Sequence, residues 1–485
     1  MKCFQAIALV SAVFVAGCDF DGGSSDDGPV FTASDCPTAV SDPTITCGTV
    51  AVPRDRNARY TDRIQIAVAR LPALAPTGAP PIVFLNGGPG AATLPTLEGF
   101  SRSALRGERD LILFDARGTG FSLPSLECPE REEAMWENFA RAATVREEVQ
   151  TLLAATLACR SRLSRAGVDL AHYDTPANAA DVEDIRRALG IEAWFLYGSS
   201  YGTTLALEVM RNYPDPIRGV VLDAVYPITE GRTIERHKDT AERALQRVFD
   251  RCAQDPLCEG TIGDLGLLLD DTVASFFEEP YRSEVLDAAT GVMRSVELDG
   301  ADIMAGVFNA LYDPGLIEVL PLLVSALNAR DPAVMAQLAS EGTNQANELA
   351  EGAFVAIECR DRGDSFGLER VLALLEEYPE YLTIYNAFSA TPVCEDLGLG
   401  NILPRSQRPV ESAIPTLLYS GGFDPITPPE WGDIAANSLS NGRTIVFDDA
   451  GHGSAGFSSC GFNALLDFLR QPRLIDAVDC EGVLP

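Results

Sequence analysis

Basic residues and long apolar runs are both scarce in this chain of 485 residues. The sequence has 37 lysines and arginines against 70 aspartates and glutamates, which gives a formal net charge of −33. Binding to nucleic acid needs a basic surface, so this balance argues against a nucleic-acid partner. No segment after residue 18 has eighteen consecutive apolar residues, so the sequence predicts no membrane-spanning helix.

Signals for metals and nucleotides are also missing. The sequence has no C-x-x-C pair and only three histidines, which leaves few ligands for a metal site. The glycine-rich loop at 86–90 fits neither G-x-G-x-x-G nor the lysine-bearing P-loop pattern, so it is not read as a phosphate cradle. We therefore predict neither a metal nor an organic cofactor.

The first eighteen residues predict export. A positively charged start precedes the apolar stretch Ala6–Ala16, which is too short to span a bilayer. Val15-Ala16-Gly17-Cys18 resembles a bacterial lipobox, where cleavage precedes a cysteine that becomes lipidated. We predict a lipoprotein signal peptide at 1–18, lipidation of Cys18 and a flexible tether at 19–35, with an ordinary signal peptide as the alternative. The protein would then lie in the bacterial cell envelope, with lipid as its only membrane contact.

The cysteine count fits an oxidising compartment. Of the 12 cysteines, ten remain when Cys3 and Cys18 are set aside, and an even number suits a disulfide framework. Sequence does not fix connectivity, so the simplest prediction is five sequence-local pairs: Cys36–Cys47, Cys128–Cys159, Cys252–Cys258, Cys359–Cys394 and Cys460–Cys480.

Residues 194–211 have the pattern of a strand, a tight turn and a helix. The apolar run Trp194–Leu196 precedes Gly198-Ser199-Ser200-Tyr201-Gly202, which fits G-x-S-x-G, and Thr203–Arg211 is helical in pattern. This context is typical of a nucleophile elbow. The serine there has a strained backbone conformation, and the flanking glycines are needed because the turn is sharp and neighbouring backbone lies close. We predict that Ser200 is a catalytic nucleophile.

The same five-residue pattern occurs again at Gly363–Gly367. Its preceding apolar run ends at Ile357, and the residues between are almost wholly polar, so this serine does not end a buried strand. Ser365 is predicted to be a helix N-cap or turn residue, because the sequence from Leu368 onward is helical in pattern.

Buried strands alternate with helices before and after the middle of the chain. This rhythm predicts an α/β fold with a mainly parallel central sheet covered on both faces. Between about Thr229 and Arg408 the pattern is mostly helical, with no convincing series of buried strands. The predicted organisation is a core formed by 36–228 and 409–485, interrupted by a helical cap at 229–408.

His452 is the best candidate for the base that a nucleophilic serine needs. It lies in a glycine-containing loop after the last predicted strand, the position of the histidine in an α/β-hydrolase. His237 lies in a charged helical stretch and is predicted to face solvent, whereas His172 precedes Ser200 and is out of order for this fold.

A carboxylate must orient that histidine. Asp424 follows the predicted strand at 416–419 and gives the chain order Ser–Asp–His, and Asp223, at the end of an earlier strand, is the alternative. Asp448 and Asp449 lie too close to His452 along the chain to face it easily. For the oxyanion hole we predict the backbone N–H groups of Tyr201 and Gly88.

Five motifs together resemble the prolyl/tripeptidyl aminopeptidase family of α/β-hydrolases, its tripeptidyl-type members most closely. These are Asn86–Gly90, Asp115–Gly120, Gly198–Gly202, Asp424–Pro428 and Gly451–Gly453, and the Cys460…Cys480 tail adds to them. The resemblance implies a serine exopeptidase that releases residues or tripeptides from peptides with a free N-terminus, under a helical cap.

The family also implies that cap carboxylates hold the amine of the substrate, and Glu358 and Asp361 are the candidates here. Prolyl iminopeptidases usually have histidine where this chain has Asn86, which argues against strict release of proline. The alternatives are an esterase or lipase with the same triad, or a non-catalytic envelope binding protein with this fold.

Overall fold

The structure, a computed structural model, describes residues 28–473 except for nine short gaps. The gaps are 59–61, 142, 231–232, 288–289, 346–348, 363–366, 389–390, 401–404 and 455–458. The predicted signal peptide at 1–18, the lipidation site Cys18 and Ser365 of the second serine motif therefore lie outside the described residues.

Within these ranges the strands form a nine-stranded sheet and a separate two-stranded hairpin. The strands are β1 (Phe31–Ser34), β2 (Thr46–Pro53), β3 (Arg63–Leu71), β4 (Ile82–Leu85), β5 (Leu111–Phe114), β6 (Trp194–Ser199), β7 (Ile217–Asp223), β8 (Tyr281–Asp287), β9 (Val292–Leu298), β10 (Thr416–Gly421) and β11 (Gly442–Phe447). The order in the large sheet is β1-β2-β3-β5-β4-β6-β7-β10-β11, and β8 pairs with β9.

The α-helices of the described part cover the sheet and form the segment above it. They are α1 (Leu97–Ser101), α2 (Pro129–Phe139), α3 (Val145–Arg165), α4 (Thr175–Ala188), α5 (Tyr201–Asn212), α6 (Ile234–Gln254), α7 (Pro256–Ile262), α8 (Leu265–Glu278), α9 (Gly300–Ala310), α10 (Pro314–Asn328), α11 (Pro332–Gln345), α12 (Glu351–Arg362), α13 (Leu368–Glu377), α14 (Leu382–Phe388), α15 (Thr391–Leu397), α16 (Pro429–Ala436) and α17 (Ser459–Arg470).

The predicted α/β fold with a mainly parallel sheet is confirmed. The five pairs from β5 through β4, β6, β7 and β10 to β11 are parallel, whereas β1, β2, β3 and β5 pair antiparallel. Strands β5 and β10 are buried along their whole length because helices cover both faces of the parallel part. The carboxyl ends of β6, β7, β10 and β11 therefore meet at one edge, where ligands bind in open α/β sheets.

The predicted tether is too long at its C-terminal end. Residues Phe31–Ser34 form β1 and pair antiparallel with Cys47–Val50 of β2. The strand is recognised poorly from sequence because three of its four residues are exposed and its stability comes from backbone pairing. Phe31 packs against the core of the sheet, which fixes the start of the folded core.

The segment between β7 and β10 contains α6–α15, and we call it the cap. It adds the antiparallel hairpin β8–β9 to the helices that the sequence predicts. A hydrophobic cluster of its own, with Phe276, Phe308 and Leu320 at its centre, is distinct from the two clusters against the sheet. Helices α2 and α3, which precede β6 in the chain, also pack against cap elements, including β9 and α13.

Four of the five predicted disulfides are present in the structure. They are Cys36–Cys47, Cys128–Cys159, Cys252–Cys258 and Cys359–Cys394. Cys460 is also disulfide-bonded, but its predicted partner Cys480 lies outside the described residues. Among the described helices, none combines the length and the apolar character that crossing a membrane requires.

Candidate active site

Ser200 lies in the sharp turn between β6 and α5. Its backbone has φ 55° and ψ −124°, in a region that residues with a side chain rarely adopt. A Cβ atom at Gly202 would lie 1.9 Å from the carbonyl oxygen of Leu85, and one at Gly198 would lie 2.4 Å from that of Gly202. Both flanking glycines are therefore required by close backbone, as the motif predicts.

Asp424 and His452 come together from the loops that follow β10 and β11. Asp424 Oδ2 lies 2.8 Å from His452 Nδ1, and the Asp424 side chain is fully buried. The backbone N–H groups of Ile426 and Thr427 donate to Asp424 Oδ1 at 2.9 and 2.8 Å. The carboxylate therefore has a fixed orientation toward the imidazole.

Thr427 completes this arrangement, and the sequence reasoning missed it. Its hydroxyl donates to Asp424 Oδ2 at 2.6 Å and lies 3.1 Å from His452 Nδ1. Burial acts to raise the pKa of Asp424, but the charge of His452 and the hydrogen bonds from His452 and Thr427 lower it below its ordinary value. Asp424 is thus held as the carboxylate that an imidazolium would pair with.

Ser200 and His452 line one cavity of about 470 Å³. The floor of this cavity is the sheet edge, and its walls come from α2, α3, α9 and the cap segments that follow. Tyr312 also lines it, with its ring centre 4.8 Å from that of His452. The three predicted triad residues are therefore arranged around a single cavity, with Asp424 buried behind His452.

The glycine loop after β4 lies against the serine. A Cβ at Gly87 would be 3.0 Å from the Ser200 Cβ. The Gly87 N–H donates to Asn86 Oδ1 at 2.8 Å, and Asn86 Nδ2 donates to the Ala92 carbonyl at 3.1 Å. Asn86 thus fixes this loop, and Gly88, with φ 106°, lines the cavity beside it.

The alternative acid Asp223 has other partners. Its carboxylate accepts hydrogen bonds from the hydroxyls of Tyr197 and Ser454, both at 3.1 Å. Asp448 and Asp449 face away from the cavity and pair with arginines of α6.

The other two histidines do not line the cavity. His172 lies 3.9 and 3.8 Å from two aspartates, Asp55 and Asp169. The prediction that His237 faces solvent is wrong, since it is only 3% exposed. It shares the buried face of α6 with Ala241, Ala244 and Leu245, one helical turn and more further along.

Glu358 and Asp361 do not line the cavity, so the structure does not bring them to the predicted amine site. Glu358 is buried on α12, with Oε2 3.6 Å from Arg362 Nε. Asp361 is buried against the start of α4, where it accepts hydrogen bonds from Thr175. The α12 side chain that reaches the cavity, Glu351, lies at the other end of the helix, and the resemblance on which the prediction rested does not show which residues of the cap face the cavity.

Five other carboxylates do line the cavity, and the sequence reasoning did not single them out. They are Glu148, Glu297, Asp299, Asp302 and Glu351. They come from α3, β9, the N-terminus of α9 and the start of α12, so their convergence depends on tertiary structure and leaves no local sequence signal. Glu351 pairs with Arg131 at 2.9 Å, and Arg141 also lines the cavity.

Burial and mutual repulsion strongly raise the pKa values of two of these carboxyl groups. Burial raises the pKa of Glu148 to about 9, and the charges of Asp302 and Asp299 add to that rise. Burial likewise raises the pKa of Asp302 to about 7, with a further rise from Asp299, although hydrogen bonds from Asp299 N–H and Thr383 oppose it. A cation that enters the cavity would stabilise the ionised forms of these neighbouring carboxyl groups.

Two family profiles match the chain. One, described as alpha/beta hydrolase fold, matches residues 80–285, and the other, described as TAP-like protein, matches residues 381–480. The first contains Ser200 and the second contains Asp424 and His452.

Relatives of named activity match the chain over different lengths. The serine protease Hip1 of Mycobacterium tuberculosis is 26% identical over 427 residues, which are 84% of this chain and 81% of that protein. A tripeptidyl aminopeptidase of Streptomyces lividans is 25% identical over 454 residues, 90% of this chain and 83% of that protein. The match to the putative hydrolase YuaR of Escherichia coli, 28% identical over 236 residues, spans 45% of this chain and only 44% of YuaR.

The chain is therefore an enzyme of the α/β-hydrolase class. Within that class its C-terminal region matches the TAP-like proteins, and over most of its length it is similar to the serine protease Hip1 and to tripeptidyl aminopeptidases.

Proposed function

We propose that this protein is an exported serine aminopeptidase that releases residues or tripeptides from the N-termini of peptides. The observation that carries this proposal is the meeting, in one cavity, of Ser200 and His452 with five carboxylates from α3, α9, α12 and β9. Peptidases with a free-amine requirement need both a nucleophile and a group that pairs with the α-ammonium. The activities of the relatives, a serine protease and a tripeptidyl aminopeptidase, support the same class.

In the proposed mechanism, Ser200 Oγ attacks the carbonyl carbon of the scissile peptide bond. Its proton passes to His452 Nε2, and the imidazolium is stabilised by Asp424 at Nδ1. The backbone N–H groups of Tyr201 and Gly88 hold the oxyanion. The C–N bond then breaks as His452 protonates the leaving amine, which leaves an ester between the N-terminal fragment and Ser200.

Deacylation uses water and the same groups in reverse order. His452 removes a proton from water, the hydroxide attacks the ester carbonyl, and the oxyanion forms again in the same hole. Collapse of this intermediate releases the N-terminal fragment as a carboxylic acid and returns the proton to Ser200 Oγ. Every step uses groups of the chain and water.

The carboxylates Glu148, Asp299 and Asp302 are the proposed site for the substrate's ammonium group. Their pKa values are all raised by burial, and those of Glu148 and Asp302 are raised further by neighbouring acids, so part of this cluster carries protons when the cavity is empty. A bound ammonium group favours the ionised forms and is held by them in return. This role replaces the one that the sequence assigned to Glu358 and Asp361.

The test compares three chromogenic substrates: a tripeptidyl p-nitroanilide, its N-acetylated form and a p-nitrophenyl ester of a short fatty acid. We expect turnover of the free tripeptide and a large loss of kcat/KM on acetylation. Turnover of the fatty ester without turnover of either peptide would instead favour the esterase alternative.

A second experiment tests the nucleophile. A fluorophosphonate probe should label the wild-type protein and not Ser200→Ala, whereas Ser365→Ala, the matched variant in the second G-x-S-x-G motif, should still be labelled. Failure of the wild-type protein to be labelled or to hydrolyse any of the three substrates would favour the non-catalytic alternative.

The proposal also includes the location of the enzyme. The four disulfides support an oxidising compartment outside the cytoplasm. We propose that Cys18 carries the lipid that attaches the enzyme to a membrane. A Cys18→Ala variant is expected to leave the membrane fraction, and retention there would contradict the lipid anchor.

A further inference from the structure

A line of buried hydrogen bonds joins the cap helix α12 to the residue that follows Ser200. Asp361 accepts hydrogen bonds from the backbone N–H of Thr175 at 3.2 Å and from the Thr175 hydroxyl. The Thr175 hydroxyl oxygen lies 2.6 Å from that of Tyr201. Asp361, Thr175 and Tyr201 are 2%, 1% and 3% exposed, so water does not replace these contacts.

When Asp361 is ionised, the number of available hydroxyl protons fixes which group donates in each of these hydrogen bonds. A carboxylate only accepts hydrogen bonds, so the single hydroxyl proton of Thr175 is donated to Asp361. The Tyr201 hydroxyl then donates to Thr175, and its oxygen accepts from Asn178 Nδ2 at 3.4 Å. Each hydroxyl proton in the line thus has an acceptor.

Tyr201 occupies a position on which the proposed chemistry depends. It is the first residue of α5 and directly follows Ser200, whose φ of 55° is strained and must be held by its surroundings. The N–H of Tyr201 is also one of the two proposed oxyanion donors. At the opposite end of α12, the N–H of Ala350, the residue that precedes the helix, donates to the Gly90 carbonyl at 3.0 Å. The chain around α12 thus contacts the glycine loop directly and the Tyr201 segment through Thr175.

We propose that Asp361 is a positioning residue that holds Tyr201, through Thr175, in the orientation that the oxyanion hole needs. This inference rests on the proposed function, because it takes Ser200 as the nucleophile and the Tyr201 N–H as a donor to the oxyanion. It makes Asp361 part of the catalytic support, although Asp361 itself does not line the cavity.

Charged groups at the start of α4 and on α12 affect the pKa of Asp361. Burial raises the pKa of Asp361 to about 8 and the charge of Asp174, the N-cap of α4, adds to the rise, whereas the Thr175 hydrogen bonds and Arg362 oppose it. Asp174 is in turn paired with Arg360 of α12 at 2.8 Å.

Two further titratable groups belong to the same surroundings. Burial raises the pKa of Tyr201 well above its ordinary value, with Asp361 and Glu358 adding to the rise. Tyr201 therefore stays a neutral donor throughout the working pH range. Glu358 lies toward Arg362 on the same helix and pairs with it at 3.6 Å.

The experiment compares Asp361→Asn with the matched control Asp174→Asn. An asparagine at 361 would donate to the Thr175 hydroxyl, which would then donate to Tyr201 and no longer accept from it. The hydroxyl proton of Tyr201 would be left without its acceptor. Above pH 8, where Asp361 is mostly ionised, we expect kcat to fall about tenfold to hundredfold, as misplacement of a catalytic group does, with KM nearly unchanged. Asp174→Asn breaks the ion pair between the same two helices but keeps an N-cap residue, so kcat at its plateau should stay within about twofold.

The pH profile separates positioning from a purely structural role. In the wild-type enzyme kcat should rise as Asp361 ionises near pH 8, and Asp361→Asn should lose this rise. Asp174→Asn should shift it to lower pH, because the charge of Asp174 raises the pKa of Asp361. Thermal unfolding of each variant shows whether the fold is retained. A positioning role predicts a fall in kcat without a loss of the fold.

A double-mutant cycle with Tyr201→Phe tests whether Asp361 acts through Tyr201. If it does, the double variant should be no slower than the slower single variant. Multiplying effects in the double variant, or a wild-type kcat and pH profile in Asp361→Asn or in Tyr201→Phe, would overturn the inference. A wild-type protein that fluorophosphonate does not label would instead overturn the proposed function, so the two failures are distinguishable.

Discussion

Asp424 and Asp223 are buried carboxylates that follow or end neighbouring strands, β10 and β7, and their partners separate their roles. Asp424 contacts the imidazole of His452 at 2.8 Å, whereas Asp223 accepts from Tyr197 and Ser454. Ser454 lies two residues after His452, so Asp223 fixes the loop that carries the histidine without contacting its ring nitrogen. Two acids at one sheet edge thus have different tasks.

Substitution of these two acids by asparagine is expected to give opposite results. Asp424→Asn should lower kcat about ten-thousandfold, because the imidazole loses the partner that sets its tautomer. Asp223→Asn should lower the free energy of unfolding by about 1–3 kcal/mol, since two hydroxyl donors lose a charged acceptor, and should retain most of kcat. Steady-state kinetics and urea unfolding measure both. A greater loss of kcat in Asp223→Asn would assign the acid to Asp223.

At this scale the sequence predicted the residues whose order along the chain is informative. Ser200, Asp424 and His452 follow from the elbow, the strand rhythm and the scarcity of histidine. The cavity carboxylates such as Glu148 and Asp302 could not be predicted, because they converge from distant segments that share no motif. Glu358 and Asp361 were assigned to the substrate by resemblance, and only the packing of α12 shows that they face elsewhere.

At the scale of elements, the elbow depends on how closely α5 approaches β4. A Cβ at Gly202 would lie 1.9 Å from the Leu85 carbonyl oxygen, and this oxygen belongs to a central strand that cannot move away. The glycine therefore sets the distance between helix and sheet as well as the shape of the turn.

Gly202→Ala is expected to destabilise the protein, whereas Gly99→Ala in α1 should not. The first must push α5 from the sheet, at a cost of about 1–3 kcal/mol or more. The second adds a methyl group where no atom lies within 4 Å, and alanine is the better helix former. Thermal unfolding measures both, and equal midpoints for the two variants would contradict the close approach.

The carboxylates that the cap contributes to the cavity give a second prediction at this scale. As pH rises from about 6 to about 7, the ionised fraction of Asp302 grows while a peptide α-ammonium group, with a pKa of about 7.7–8.0, remains mostly protonated, so KM for a free tripeptide should fall. Asp302→Asn should abolish this pH dependence, and Asp270→Asn, outside this cavity, should keep it. KM measured at each pH for the free and N-acetylated substrates tests this, and an equal fall for both substrates would contradict an amine site.

The same pKa shift has a consequence for stability, with a definite sign. The stabilising contribution of a carboxyl group whose pKa is raised on folding is fully present below its unfolded pKa of about 4, and it is lost progressively as pH rises through the folded pKa of about 7. Asp302→Asn removes the cost of the buried charge, so its free energy of unfolding at pH 8 should exceed that of the wild-type protein. A lower value would contradict the raised pKa.

At the scale of the whole molecule, the net charge of −33 is the dominant electrostatic property. Self-repulsion of that charge opposes compaction and is screened by salt. The thermal midpoint is therefore expected to rise between about 10 mM and about 500 mM sodium chloride, and potassium chloride should act equally because screening does not distinguish the two ions. A midpoint independent of salt would show that paired charges have already cancelled the repulsion.

The order of the disulfides along the chain has a consequence for how the protein is made. Each pair closes before the next begins, with sequence separations of 11, 31, 6 and 35 residues. A chain that crosses a membrane from its N-terminus presents each cysteine to its native partner before any later cysteine has emerged. On the proposed export route, oxidation in order of emergence would give the native pairs without reshuffling, so we expect these four bonds to form with an oxidase and without an isomerase.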